Sequence, residues 1–243
     1  MHFYNVEKLK LIVGWNPKVA CTTVKILILK KLGHEIVGNV HLDMLAKGNL
    51  QSGRYDIYKL SNPKFKNINL NDYTKICIVR NPYERLISGI RQRSRKLCDF
   101  NIFGDLSENT ISMFLQNLKN HNYLEHHFYP QVKDMNDFKF DHIIDIKDMS
   151  KLYSILELEH TNDELGGQIT KYYNDNDNDY HNYHYLTIKD ISNRFHNKWS
   201  RNIYSWFTKN DIELINELYE KDFIFLEENG FDYKIKNVSN NIS

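Results

Sequence analysis

Leu11-Ile-Val-Gly-Trp-Asn-Pro-Lys18-Val-Ala-Cys-Thr-Thr-Val-Lys25 is the stretch that decides how this chain is read. Its apolar start, closed by Gly14, has the composition of a buried parallel strand. Pro17 and Lys18 make a tight turn, and small and hydroxylated residues then open a helix. A strand, a turn and a helix start in that order hold an anion. The first helical N–H groups lack intrahelical partners, and the helix dipole is positive there. Lys18 adds a point charge, and Thr22 and Thr23 add hydroxyl donors. Lys18, Val19, Ala20, Cys21, Thr22 and Thr23 are therefore the candidate phosphate-binding residues. The stretch is not a Walker A loop, which reads Gly-x-x-x-x-Gly-Lys-Ser/Thr. Its single glycine is Gly14, and Lys18 precedes the small residues instead of following them.

The bulk composition bounds what such a site serves. With 243 residues, 41% hydrophobic and 26% charged, the chain has material for one globular α/β domain with a sizeable core. Lys and Arg total 32 against 31 Asp and Glu, a net charge of +1. A protein that coats nucleic acid carries a basic excess, so an anionic ligand here must be met by a local cluster. Three cysteines, Cys21, Cys77 and Cys98, are an odd count without paired spacing, which points to a reducing compartment. No apolar run reaches the roughly 18 residues of a membrane span. The start, Met-His-Phe-Tyr-Asn, lacks a signal pattern. These features predict a soluble, cytoplasmic protein, with a lumenal domain trimmed of its anchor as the alternative.

Outward from the opening stretch, residues 9–14 read as a strand and 20–32 as a helix stopped by Gly33. Residues 37–50 allow a short helix, and 54–60 an extended segment. Lys75-Ile-Cys-Ile-Val79 is a second buried strand, and Arg80-Asn-Pro82 turns into a helix over 83–97. That helix carries Arg91, Arg93, Arg95 and Lys96, for which a solvated face is the simplest reading. A helix is expected over 108–120 with Ser107 as its cap, a third strand over 140–146, and a helix from Asp148 to about Leu158. Tyr172 to Tyr185 is low in complexity and reads as a mobile loop, and 236–243 as a flexible tail. Thr208-Lys-Asn-Asp211 starts a helix expected to run unbroken to Glu228. Trp15, Trp199 and Trp206 are taken as core. The predicted architecture is a P-loop-like, three-layer α/β fold with a central parallel sheet flanked by helices, one domain over 1–243.

A second phosphate element follows from position. Arg80 ends a strand, where open α/β sheets place their ligands, and Ser88 lies eight residues on in the next helix. An Arg fork and a hydroxyl can clamp one phosphate. Together with the first loop they imply a ligand with two separated anionic groups. Arg85 is read as structural.

The two elements resemble the cofactor signatures of PAPS-dependent sulfotransferases, PAPS being 3′-phosphoadenosine-5′-phosphosulfate. Pro17-Lys-Val-Ala-Cys-Thr-Thr-Val-Lys25 is similar to the family's 5′-phosphosulfate loop, and Ile78-Val-Arg-Asn-Pro-Tyr-Glu-Arg-Leu-Ile-Ser88 to its 3′-phosphate motif. The nearest likeness is to the carbohydrate branch, the HNK-1-like and chondroitin- or dermatan-type enzymes. It extends loosely to His126-His-Phe-Tyr-Pro-Gln131, to the strand and helix of 140–156, and to Tyr219-Glu-Lys-Asp-Phe223. Asn81 departs from the usual Asp but can still cap the helix.

The resemblance implies transfer of a sulfuryl group from PAPS to a hydroxyl acceptor, a glycan in this branch, by in-line displacement. Lys18 would stabilise the leaving phosphate, Thr22 and Thr23 would hold the 5′-phosphate, and Arg80 and Ser88 the 3′-phosphate. In related enzymes a base histidine lies between the two motifs, and His41 fits that place better than His34. His126 and His127 are second candidates. No metal is called for. Asp175, Asp177 and Asp179 mimic an EF-hand start, but Tyr180 and Leu186 hold its glycine and glutamate positions. A nucleotide kinase with a degenerate loop and a non-catalytic PAPS-binding module are the competing readings. Neither nucleic acid nor membrane is an expected partner, and the oligomeric state is open.

Overall fold

Every residue of the apolar run at 11–15 is buried in the computed structural model, as a strand without polar alternation requires. The structure describes residues 2–33, 56–58, 69–98, 106–121, 125–133, 138–159, 182–194, 199–200 and 202–236. His2–Val6 (β1) and Leu11–Trp15 (β2) pair antiparallel, His2 opposite Trp15 and Val6 opposite Leu11. Cys21–Lys31 (α1) follows, ending before Gly33, whose φ of 76° lets the chain turn off the helix. Asp56–Tyr58 (β3) adds antiparallel to β1. Thr74–Val79 (β4) runs parallel to β2, and His142–Asp145 (β5) parallel to β4. The sheet order is β3-β1-β2-β4-β5. The mixed α/β fold predicted from the sequence is thus present, with three parallel strands and flanking helices. The antiparallel pair at its side was not expected. His2-Phe-Tyr-Asn-Val6 lacks the continuous apolar character that marks a central strand, and it borrows its pairing from β2.

The chain divides into two compact units. The first comprises Met1–Arg80 and Gln131–Thr161, the second Asn81–Pro130 and Asn162–Ser243. The first holds the sheet and α1. It also holds a 3-10 turn at Ile146–Asp148 followed by the helix Ser150–Ile155, where one helix from Asp148 to about Leu158 was expected. The Asp145 carboxylate caps that turn, accepting from the Lys147 N–H at 2.6 Å.

The second unit is helical among its described residues. Pro82–Leu97 is capped by Asn81, whose side chain accepts from the Tyr83 N–H at 3.0 Å, with Pro82 in the first turn. Ile111–Asn120 is capped by Thr110, not Ser107, so it starts three residues later than the sequence suggested. Ile188–Asn193 and Lys209–Leu218 each begin with a full capping box, Thr187 with Asp190 and Thr208 with Asp211. The helix expected to run unbroken to Glu228 is two, Lys209–Leu218 and Glu220–Glu228. The break falls at Tyr219, with φ −112° and ψ 24°. Its ring is buried, and its hydroxyl donates to the Phe128 carbonyl at 2.7 Å. That tertiary bond overrides helix propensity.

Tyr83, Phe114, Phe128, Trp199, Trp206 and Phe223 form the heart of this unit's core. Tyr183–Tyr185, the end of the segment read as a mobile loop, is a 3-10 turn. Its Tyr183 packs on Trp199 and Trp206 at 5.0 and 4.9 Å between ring centroids. Residues 172–181, the predicted helix over 37–50 and the tail beyond 236 lie outside the described residues.

Gly89 sits mid-helix for a packing reason. A Cβ there would lie 2.9 Å from Cε1 of Phe128, which is fully buried and cannot yield. Gly89→Ala gains about 1 kcal/mol of helix propensity but incurs about 1–3 kcal/mol of overpacking. A net loss of stability in urea unfolding is the expected outcome, and a stabilised variant would contradict this packing.

Candidate functional site

The turn from β2 into α1 is built without glycine at its tightest points. Lys18 has φ 72° and Ala20 φ 56°, both left-handed. Each such residue costs about 1–2 kcal/mol when it carries a Cβ. Left-handed residues in a turn are how backbone forms N–H concavities for anions. Ala20 is the N-cap of α1 and offers no side-chain acceptor, and the first turn holds no acidic residue. The first intrahelical bond runs from the Val24 N–H to the Ala20 carbonyl at 3.0 Å, so Cys21, Thr22 and Thr23 precede the helical ladder. Lys18, Cys21, Thr22 and Thr23 are half-buried, while Val19 is fully buried and anchors the turn.

Arg80 reaches this loop. Its guanidinium Nη1 donates to the Lys18 carbonyl at 3.2 Å. Its main chain is gripped by Gln131, buried to 1% exposure. The Arg80 N–H donates to Gln131 Oε1 at 3.0 Å, and Gln131 Nε2 donates to the Arg80 carbonyl at 2.8 Å. Asn16 Nδ2 in turn donates to the Gln131 main-chain carbonyl at 2.5 Å. The structure therefore brings the loop and Arg80 together within the first unit. Asn16 and Gln131 were missed. Gln131 appeared only as the end of a loose motif, and nothing local marks a glutamine that bonds a backbone 51 residues away.

Ser88 lies half-buried in the helix Pro82–Leu97 of the second unit. His41 and His34 are outside the described residues. Lys25, one turn into α1, is buried and stands over the Trp15 ring at 5.3 Å. Burial lowers its pKa, opposed by the charge of Cys21. All three cysteines are free thiols.

The second unit holds an ionic cluster that the sequence did not reveal. Arg93, expected on a solvated face, makes a two-pronged ion pair with Glu125. His127 Nδ1 stands 3.1 Å from the same carboxylate. Burial pushes the Glu125 pKa up, but the hydrogen bonds and charges of His127 and Arg93 more than reverse this, leaving it at about 2. His126 is largely exposed, and partial desolvation of its ring, with the neighbouring His127 charge, lowers its pKa. Glu125, His126 and His127 bring ligating atoms within 4.8 Å of one another. The carboxylate is already committed to Arg93, which makes the group an ion pair before it is a metal site. Arg85, read as structural, donates from Nη2 to the His127 carbonyl at 3.3 Å.

A model described as the sulfotransferase family matches residues 1–227, and the chain belongs to that family. Membership carries sulfuryl transfer in general, to a hydroxyl-bearing acceptor, with PAPS as the donor such enzymes use in general. No curated protein and no solved structure matches the chain. No helix among the described residues is long and apolar enough to cross a membrane.

Because the folded-state pKa of Glu125 lies below the usual value of 4.5, its ion pair contributes stability above pH 4.5 and loses it as pH falls toward 2. Glu125→Gln leaves Arg93 without its anion and should cost about 3 kcal/mol at pH 7. The gap from the wild type should narrow in urea titrations at pH 3. A gap that stays constant with pH would mean that Glu125 carries no such charge.

Proposed function

We propose that residues 1–243 work as one sulfotransferase domain moving a sulfuryl group from PAPS to a hydroxyl of a carbohydrate acceptor. The observation that carries this reading is the left-handed, uncapped start of α1 with Arg80 bonded to its loop. The chemistry of the donor set fits a nucleotide with separated anionic groups. It offers N–H groups and two hydroxyls on one element and a guanidinium on another. When bound, PAPS supplies the sulfuryl group and the phosphate that leaves. The N–H groups of Val19, Ala20 and Cys21 and the hydroxyls of Thr22 and Thr23 hold its 5′ end in this reading. Lys18 offsets the charge that grows on the bridging oxygen. Arg80 and Ser88 bind the 3′-phosphate, which separates PAPS from ATP. His41 takes the acceptor proton. The glycan nature of the acceptor rests on the likeness of the two motifs to the carbohydrate branch.

The competing phosphotransferase reading expects a carboxylate at the end of a neighbouring parallel strand to hold magnesium. β4 is the parallel neighbour of β2, and it ends in Val79 with Arg80 next, a cation where that reading needs a carboxylate. That charge favours the sulfotransferase reading.

The product nucleotide 3′,5′-ADP tests the donor. At a hundred times its Kd it should stabilise the fold by about 2.7 kcal/mol, roughly 5–10 °C in Tm for a chain of this size. Arg80→Ala should remove most of that shift. No shift for the wild type at millimolar nucleotide would refute the donor assignment. Lys18→Ala tests the mechanism separately. It should lower kcat by about 10²–10³ while leaving the affinity for 3′,5′-ADP within a few-fold. Undiminished turnover would remove Lys18 from the chemistry.

A further inference from the structure

Gln131 stands across the ends of two adjacent parallel strands. β2 and β4 pair through Gly14 and Cys77, and β4 and β5 through Val79 and Asp145. Asn16 and Arg80 each lie just past their strand, where ladder hydrogen bonds no longer fix the chain. Gln131 replaces the missing ladder. Its side-chain amide takes both the N–H and the carbonyl of Arg80, as a neighbouring strand residue would, and its own carbonyl takes the Asn16 amide. The Arg80 guanidinium then closes a ring of contacts on the Lys18 carbonyl. Asn16 at 6% and Gln131 at 1% exposure are buried and Arg80 is half-buried, which limits the water that can compete for these bonds.

We propose that Gln131, with Asn16, is a positioning residue that sets the separation between the phosphate loop and Arg80, and so selects a nucleotide carrying both a 5′- and a 3′-phosphate. This rests on the nucleotide reading above and adds to it a specific source of selectivity. A ligand with one phosphate uses one element and is indifferent to their spacing. A ligand with two must meet both at once, and only then does the spacing enter its affinity.

The test compares 3′,5′-ADP, 5′-AMP and 3′-AMP by titration calorimetry on the wild type and on Gln131→Met, which keeps the volume but neither bonds the Arg80 N–H nor donates to its carbonyl. The variant should bind 3′,5′-ADP about tenfold more weakly, with each monophosphate within about twofold of wild type. A uniform fall for all three ligands, or no fall for any, would overturn the proposal, since a purely structural role affects them alike. Should Gln131→Met not fold, Asn16→Ala opens the other end of the same ring and should show the same selective loss. Hydrogen exchange without nucleotide gives a separate reading. Amides of residues 16–23 should exchange faster in either variant, while those of 74–79 stay protected. Faster exchange with no preference of the wild type for 3′,5′-ADP would sink the nucleotide reading and leave the positioning contact standing. Unchanged exchange would sink the positioning contact itself.

Discussion

The turn between β2 and α1 has to be held in a conformation its residues do not favour. Lys18 and Ala20 both adopt left-handed backbone while carrying side chains. Together they cost roughly 2–4 kcal/mol, a large share of what a domain has to spare. Such strain persists only where the surroundings over-determine it. Here they do so from four sides. β2 is buried along its whole length, and Val19 is sealed in the core. Asn16 is tied to Gln131, and the Lys18 carbonyl is tied to Arg80. The return is a helix start whose N–H groups face no side-chain cap. Glycines at these positions would relieve the strain, but they would also free the loop when no ligand is present.

The same contacts explain why two weak sequence signals fall side by side in the fold. The loop follows the first parallel strand and Arg80 ends the second, so the sheet brings them side by side through β2–β4 pairing. Neighbouring strand ends lie about 5 Å apart before any side chain is counted. An arginine at that distance can bond a loop carbonyl and still present a fork, which a lysine's point charge would not do with fixed geometry.

What the sequence disclosed was what is encoded locally. Strands β2, β4 and β5 are short apolar runs beside turn residues. Asn81 and Pro82, and Thr208 and Asp211, are capping chemistry within a few positions of each other. What stayed hidden was set by partners far along the chain. β1 is a strand because β2 lies beside it. Tyr219 breaks a helix because of a carbonyl 91 residues away, and Gln131 acts on a backbone 51 residues away. For the candidate site, the residues proposed to touch phosphate rest on residue type and strand position. The residues that hold them in place were not legible, because an amide bonded to backbone leaves no pattern of its own.

The helix Pro82–Leu97 is the most basic element of the second unit's described residues. Its arginines look like a patch in a chain whose net charge is only +1. In the fold they are largely committed. Arg85 is buried against the His127 carbonyl, Arg91 stacks on Trp199 at 5.4 Å, and Arg93 is paired to Glu125. Arg95 and Lys96 are the exposed remainder. Arg93 adds little attraction for an outside anion, since the Glu125 carboxylate compensates its field. The committed arginines of this helix therefore serve the core of the second unit, and its basic appearance in the sequence overstates the charge it shows to solvent.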